Sequence, residues 1–270
     1  HTWAPLGYSA APTATAMMHA GVIKKFGLFM LIKVALPLLP QGAQTWLPTL
    51  ALLCLGNILY CGLVAMRQRD LNLLIGNSSV AHMGFVFLGI ASVTTIGLTG
   101  AVMVMVAHGL LAGLAFGLSG YLYSQARTLD MEKLQGLLAS MPFWGTLMIM
   151  ALMAGCGLPG FANFAGELTV FFGAWKVYPV ITSIGIWSAL VIGAVYMLRA
   201  IRTLLHGIKG EQTPEVEDLK HWQRLPYALL VAVLLLFGFY PKLITDKIGK
   251  SNATFEQAKK AQASTEEEAE

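Results

Sequence analysis

The stretch GLPGFANFAGELTVFFGAW, running from Gly157 to Trp175, contains a single charged residue, Glu167. The residues around it are apolar or small for about the thickness of a bilayer. A carboxylate at that depth costs roughly 2.5–3.5 kcal/mol on insertion scales, so its presence calls for a function or a partner. The same stretch opens with Gly157, Leu158, Pro159 and Gly160. Proline removes a backbone donor and clashes with the preceding turn, which predicts a broken helix at Gly157–Gly160. Carbonyls freed inside a membrane must find protein partners or a water-lined cavity. Broken helices near the midplane often mark ion or substrate paths.

The rest of the chain supports a membrane reading. Of 270 residues, 56% are hydrophobic and only 12% charged, against about 25% charged in soluble domains. Mean hydropathy is +0.64. The spacing predicts an all-α polytopic membrane protein with about seven spans: Pro12–Leu39, Trp46–Met66, Leu71–Thr95, Leu98–Tyr123, Phe143–Trp175, Tyr178–Leu205 and Leu225–Ile244. The fifth is too long for one straight helix. We expect residues 1–245 to form the membrane domain and 246–270 a polar tail.

The connections Pro40–Thr45 and Thr95–Gly97 carry no charge. Those on the other face carry Arg67 and Arg69, Arg127 and Lys133, then Lys209, Lys220 and Arg224. The positive-inside rule puts this second set in the cytoplasm. The acidic run Glu211, Glu215, Glu217 and Asp218 reads as a solvated surface, with a docking site for a partner subunit as the alternative. The net charge of +4, with no basic stripe, points to no nucleic-acid partner. Cys54, Cys61 and Cys156 lie in apolar segments without C-x-x-C spacing and read as packing residues.

Of the 14 acidic residues only Glu167 falls inside a span. Lys24, Lys25 and Lys33 fall in the first span, Arg199 and Arg202 near the end of the sixth, and His19, His82 and His108 in apolar runs. Every span from the first to the fifth except the second carries at least one titratable group, a pattern that suggests a proton relay. Burial penalises the charged form of each, which favours exchange of protons over permanent charge. Serines, Asn163 and ordered water can bridge the gaps. Each residue also has a plainer reading. His82 lies one turn beyond Ser78 and Ser79, and a hydroxyl–imidazole bond between helices would explain all three. His108, beside Gly109 and Gly113, could be a packing histidine at a close helix contact. Lys24 and Lys25 point about 100° apart, so only one is expected to face the interior. Lys33, Arg199 and Arg202 can snorkel. No H-x-x-H or H-x-x-x-E spacing supports a metal site.

Several motifs together resemble a known family. His1-Thr2-Trp3-Ala4-Pro5 with Ala11-Pro12-Thr13 resembles H-x-W-L-P-D-A-H-x-x-A-P-T. Asp70-Leu71 leading into Ser79-Val80-Ala81-His82-Met83-Gly84-Phe85 is similar to D-L-K-R-L-I-A-Y-S-S-V-S-H-M-G-F. Ala107-His108-Gly109 and Gly157-Leu158-Pro159-Gly160 through Glu167 also match. These are the marks of the antiporter-like membrane subunits of NADH:quinone oxidoreductase, respiratory complex I, in the form carried by subunit M. The motif matches run from His1 to about Glu167.

The resemblance implies a fold of inverted repeats, each holding a broken helix, of which this chain would carry the second half. It implies that Lys25 is the central lysine of a proton relay, His82 and His108 the connecting histidines, and Glu167 the terminal group. It implies other complex I-like membrane subunits as partners, a lipid bilayer (in a bacterium, the plasma membrane), and quinone, FMN and iron–sulfur clusters held by partner subunits. No Cys cluster or G-x-G-x-x-G motif for such groups occurs in this chain. Leu6 and Tyr8 stand where the family has Asp and His, and Asn72 and Leu73 where it has a basic pair at a helix entrance. The family's earlier helices are absent, so the chain reads as a C-terminal portion or half of a split subunit. A multi-subunit cation/proton antiporter, a membrane-bound hydrogenase and a structural scaffold are the alternatives.

Overall fold

A computed structural model describes residues 1–207 and 215–249. Lys209, Glu211 and the tail from residue 250 onward lie outside the described residues, and with them most of the expected polar tail. Among the described residues every regular element is helical, apart from one isolated bridge between Asp70 and Asp130.

A short helix α1 (Ala4–Ala10) precedes a long helical run α2 over residues 13–38. Two π-helical turns, His19–Ile23 and Leu31–Ala35, flank the α-helical piece Lys24–Met30 of α2. Then come α3 (Pro40–Arg67), α4 (Leu71–Ala91), α5 (Thr95–Ala126), the short α6 (Leu137–Ser140), α7 (Pro142–Gly155) and α8 (Ala162–Trp175). Helix α9 (Pro179–Leu205) contains a third π turn at Ser188–Gly193, and α10 is His221–Phe239. Each expected span has a helical counterpart; among the described residues α3, α4, α5, α9 and α10 are long and apolar enough to cross a membrane, and the fifth expected span is divided into α7 and α8 as Gly157-Leu158-Pro159-Gly160 predicts.

Local chemistry sets the boundaries. Asp70 Oδ1 accepts from Leu73 N at 2.9 Å at the start of α4, and Thr94 Oγ1 accepts from Gly97 N at 3.0 Å at the start of α5. Such caps satisfy amides that have no intrahelical partner. Pro40, Pro142 and Pro179 open α3, α7 and α9, where a missing N–H costs nothing. The expected loops Pro40–Thr45 and Thr95–Gly97 are therefore helical. The turns are tighter than the hydropathy suggests, because Pro40 and Thr94 start the helices early.

The acidic run also needs correction. Asp218 is no solvated surface residue: its carboxylate accepts from Phe143 N at 2.8 Å and Trp144 N at 3.0 Å, capping α7 from outside that helix. The connections that carry Arg69 and Arg127 share one face. Leu71 N donates to Leu129 O at 3.0 Å and Met131 N to Arg69 O at 2.9 Å, tying the two together. Arg199, expected to snorkel, instead donates to Gln68 O in the connection between α3 and α4.

Helix α5 is the centre of the bundle, with α4 and α8 against it. The backbones come close because side chains are missing: a Cβ on Gly100 would lie 2.5 Å from Val170 N. Outer faces remain apolar and open. Leu53, Val180, Trp187 and Leu225 are each more than half exposed, as lipid-facing positions are.

Candidate functional site

The site forms where four elements meet near the middle of the bundle. On α2 the π turn His19–Ile23 precedes Lys25, and the Lys25 ammonium folds back to donate to Ala20 O inside that turn. The same Nζ lies 3.0 Å from His108 Nδ1 on α5. Glycine makes this possible. A Cβ on Gly109 would sit 2.8 Å from Gly21 O, so α2 and α5 approach this closely only without side chains there.

His108 and His82, on α4, have ring centroids 5.6 Å apart at a 57° tilt. A cavity of about 20 Å3 lies between them, lined by Ser78 and Ser79 as well as both rings. That is room for one water molecule. His82 Nδ1 lies 2.6 Å from Ser78 O and Nε2 lies 3.0 Å from Gly155 O. A carbonyl accepts only from N–H, so a neutral ring serves one of these carbonyls and a doubly protonated ring serves both. His82 thus has a bonded orientation in either charge state. Ser78 Oγ is 3.4 Å from His82 Nδ1, so the plainer hydroxyl–imidazole reading describes part of its surroundings too.

The helix break supplies the last member. Gly155 ends α7 and turns its free carbonyl to His82, which is the protein partner that a break in a membrane requires. Gly157 and Gly160 have φ of +74° and +104°, values that L side chains rarely adopt. Glu167, one-and-a-half turns into α8, sits with Oε1 3.5 Å from His82 Nε2. That is beyond an ordinary N–H···O hydrogen bond, and Oε1 has no hydrogen-bond partner. A second cavity of about 20 Å3 touches Glu167, His82, Tyr196 and the π turn Ser188–Gly193 of α9. Lys25, His108, His82 and Glu167 are all nine-tenths or more buried. The four residues singled out in the sequence therefore lie in one buried row, with a cavity between the two imidazoles.

A family model described as "NADH:quinone oxidoreductase/Mrp antiporter, TM" matches residues 1–193. The chain belongs to this family. NADH-quinone oxidoreductase subunit M of Rhodobacter capsulatus is 35% identical over 254 residues, which are 94% of this chain and 49% of that relative. A chain of respiratory complex I from Thermus thermophilus superposes with a TM-score of 0.89 at 28% identity, covering 96% of this chain and 54% of that one. A chain of the Mrp complex from Dietzia sp. DQ12-45-1b gives a TM-score of 0.83 at 16% identity, over 94% and 55% of the two chains, a likeness of fold alone. The chain spans about half the length of the curated relatives it matches.

Within this family fold, other parts of the site carry no signal in the sequence. Tyr196 of α9 is buried and its hydroxyl lies 3.1 Å from Ser78 Oγ. An isolated tyrosine in an apolar run gives no sign of this. Asn163 is fully buried, with neither side-chain polar atom hydrogen-bonded, so the bridging expected of it is not seen. The expectation that only one of Lys24 and Lys25 faces inward fails. Lys24 Nζ reaches Ser79, donating to its carbonyl at 3.2 Å and to its hydroxyl. The reason is length: a flexible four-carbon stem can swing its head inward from a half-buried backbone position.

Proposed function

We propose that this chain is part of a proton-translocating membrane subunit of an NADH:quinone oxidoreductase, and that protons move along Lys25, His108, His82 and Glu167. The observation that carries the reading is the placement of the four residues in one buried row. The pairs are separated by 3.0 Å (Lys25 to His108) and 3.5 Å (His82 to Glu167), with a one-water cavity at the wider step between the rings. A proton held on Lys25 can pass to His108 Nδ1, cross the cavity by way of water and serine hydroxyls, and reach His82. His82 passes it from Nε2 to Glu167. Glycine at 21 and 109 fixes the first step, and the break at Gly155–Gly160 leaves the last one adjustable.

Redox chemistry belongs to partner subunits, where quinone, FMN and iron–sulfur clusters would be held. This chain contributes proton transfer driven through contact with its neighbours. The partners are other membrane subunits of the complex, the surrounding medium is lipid, and the location is a bacterial plasma membrane with the Arg69–Arg127 face toward the cytoplasm. The relatives named subunit M favour this reading. Because the family also includes Mrp antiporter proteins, a cation/proton antiporter subunit is the second reading; sodium-dependent proton flux without NADH would support it instead.

The test is Glu167→Gln in the full-length subunit within its assembled complex. Glutamine keeps the shape and removes the proton site. NADH-driven proton translocation is expected to be lost while the complex still assembles. Undiminished pumping would remove Glu167 from the path.

A further inference from the structure

The file from Lys25 to Glu167 leaves a second set of polar groups on α1 and α2 unused. Lys24 precedes Lys25, yet its ammonium goes to a different place. It donates to the Ser79 hydroxyl and to Ser79 O at 3.2 Å, and lies 5.5 Å from the Tyr8 ring centroid, a cation–π distance. Ser79 is buried and lines the cavity between His82 and His108. The two adjacent lysines therefore reach the same cavity by different routes: Lys25 through the His108 ring, Lys24 through a hydroxyl.

The groups behind Lys24 continue outward. Tyr8 is 2% exposed and its ring lies 5.5 Å from that of His19. His19, inside the first π turn of α2, packs edge-on to Trp3 at 5.4 Å, and Trp3 is 63% exposed. His19 Nδ1 is buried without a hydrogen-bond partner. The His19 and Tyr8 rings thus pack between the exposed Trp3 and the Lys24 ammonium, whose hydroxyl partner Ser79 lines the cavity.

We propose that Lys24 is a second proton-carrying residue, which feeds the cavity between His82 and His108 through the Ser79 hydroxyl, with His19 and Tyr8 as its outer approach. The step balances without an added oxidant or reductant. A Lys24 N–H bond breaks and nitrogen keeps the electron pair. Ser79 Oγ takes that proton while releasing its own to a water molecule in the cavity, and the water passes one to an imidazole nitrogen. The net change is ammonium plus imidazole going to amine plus imidazolium. Return of a proton from the surface by way of His19 and water restores Lys24.

This inference rests on the relay reading, so the experiment separates the two. The full-length subunit in its assembled complex is reconstituted in liposomes, and NADH-driven proton uptake is measured for Lys24→Met, Ser79→Ala, Ser79→Thr, the Lys24→Met/Ser79→Ala double variant and, in parallel, Lys25→Met. Lys24→Met and Ser79→Ala are each expected to slow uptake by about fivefold, the scale of one lost hydrogen-bonded carrier. The double variant should be no slower than either single one, because the two act in series. Ser79→Thr retains the hydroxyl and should stay near the starting rate, which a purely packing role would not require. If Lys25→Met is severely slowed but Lys24→Met and Ser79→Ala are not, the second route is wrong and the first stands. If Lys25→Met is also unaffected, the relay reading itself fails. Losses that multiply in the double variant would likewise overturn the series arrangement. Should Lys24→Met not assemble, Lys24→Gln, which keeps a polar head of similar reach, takes its place: a rate equal to that of the unaltered subunit sinks the proposal.

Discussion

The two ends of the buried file are built differently. At the Lys25 end, a direct 3.0 Å contact joins two helices whose backbones touch through Gly21 and Gly109. At the Glu167 end, the contact is 3.5 Å, one carboxylate oxygen lacks a hydrogen bond, and the neighbouring backbone is a helix break beside a cavity. The first end is a fixed pair whose geometry is set by helix packing. At the second no such backbone contact holds the pair, and residues 156–161 beside it are not helical. On the proposed relay reading, a path that conducts in one direction needs a step that can be opened and closed, and the looser contact would put that step at Glu167.

The largest effect should come from breaking the fixed end. Gly109→Val places a branched side chain where even a Cβ would be 2.8 Å from Gly21 O. Helices α2 and α5 must then separate, at a cost of about 1–3 kcal/mol from overpacking. Proton flux per assembled complex is expected to fall at least about tenfold once Lys25 no longer reaches His108. Flux measured in liposomes against the amount of assembled complex checks it; an unchanged rate would mean that the direct contact is dispensable.

Gly157→Ala disturbs the looser end. At φ +74° a Cβ costs about 1–2 kcal/mol, and it would lie 3.1 Å from Glu167 Oε2. The carboxylate has to move, so flux should fall more than the midpoint of thermal unfolding does. Equal losses in both would make Gly157 a fold residue only. Tyr196→Phe removes one hydroxyl at Ser78 and should reduce flux by about two- to fivefold with assembly intact. An unaltered rate would leave Tyr196 outside the path. The smallest functional effect is expected for Asp218→Ala, remote from both ends. It deletes the cap on α7 and should lower stability by about 1 kcal/mol without changing flux per assembled complex. Thermal unfolding and flux measured together would show whether stability and conduction separate in this way.

Much of this architecture is legible in the amino-acid sequence. Bilayer-spanning runs are apolar over long windows, and Gly157, Pro159 and Gly160 mark the break by backbone chemistry alone. Lys25, His82, His108 and Glu167 stand out because charge and imidazole are costly in lipid. What sequence periodicity misses is where side chains go after they leave the backbone. Lys24 and Lys25 point apart at Cα, but the Lys24 head swings in to Ser79. Asp218 sits in a run of acids that looks solvated, and only the folded chain brings it to the amides of Phe143 and Trp144. Tyr196 meets Ser78 across 118 positions of sequence, and no local pattern signals such a contact. The π turns beside Lys24 and at Ser188–Gly193 have no composition signature either, yet each adjoins the file or its cavities.

The central claim is that Lys25 and Glu167 are the ends of one conducting file. The direct measurement is the number of protons moved per NADH oxidised by the intact complex carrying Lys25→Ala, compared with the unaltered complex under the same membrane potential. A lower number of protons per NADH, with the complex assembled and still oxidising NADH, is what the account expects. An unchanged number would contradict it and take Lys25 out of the path.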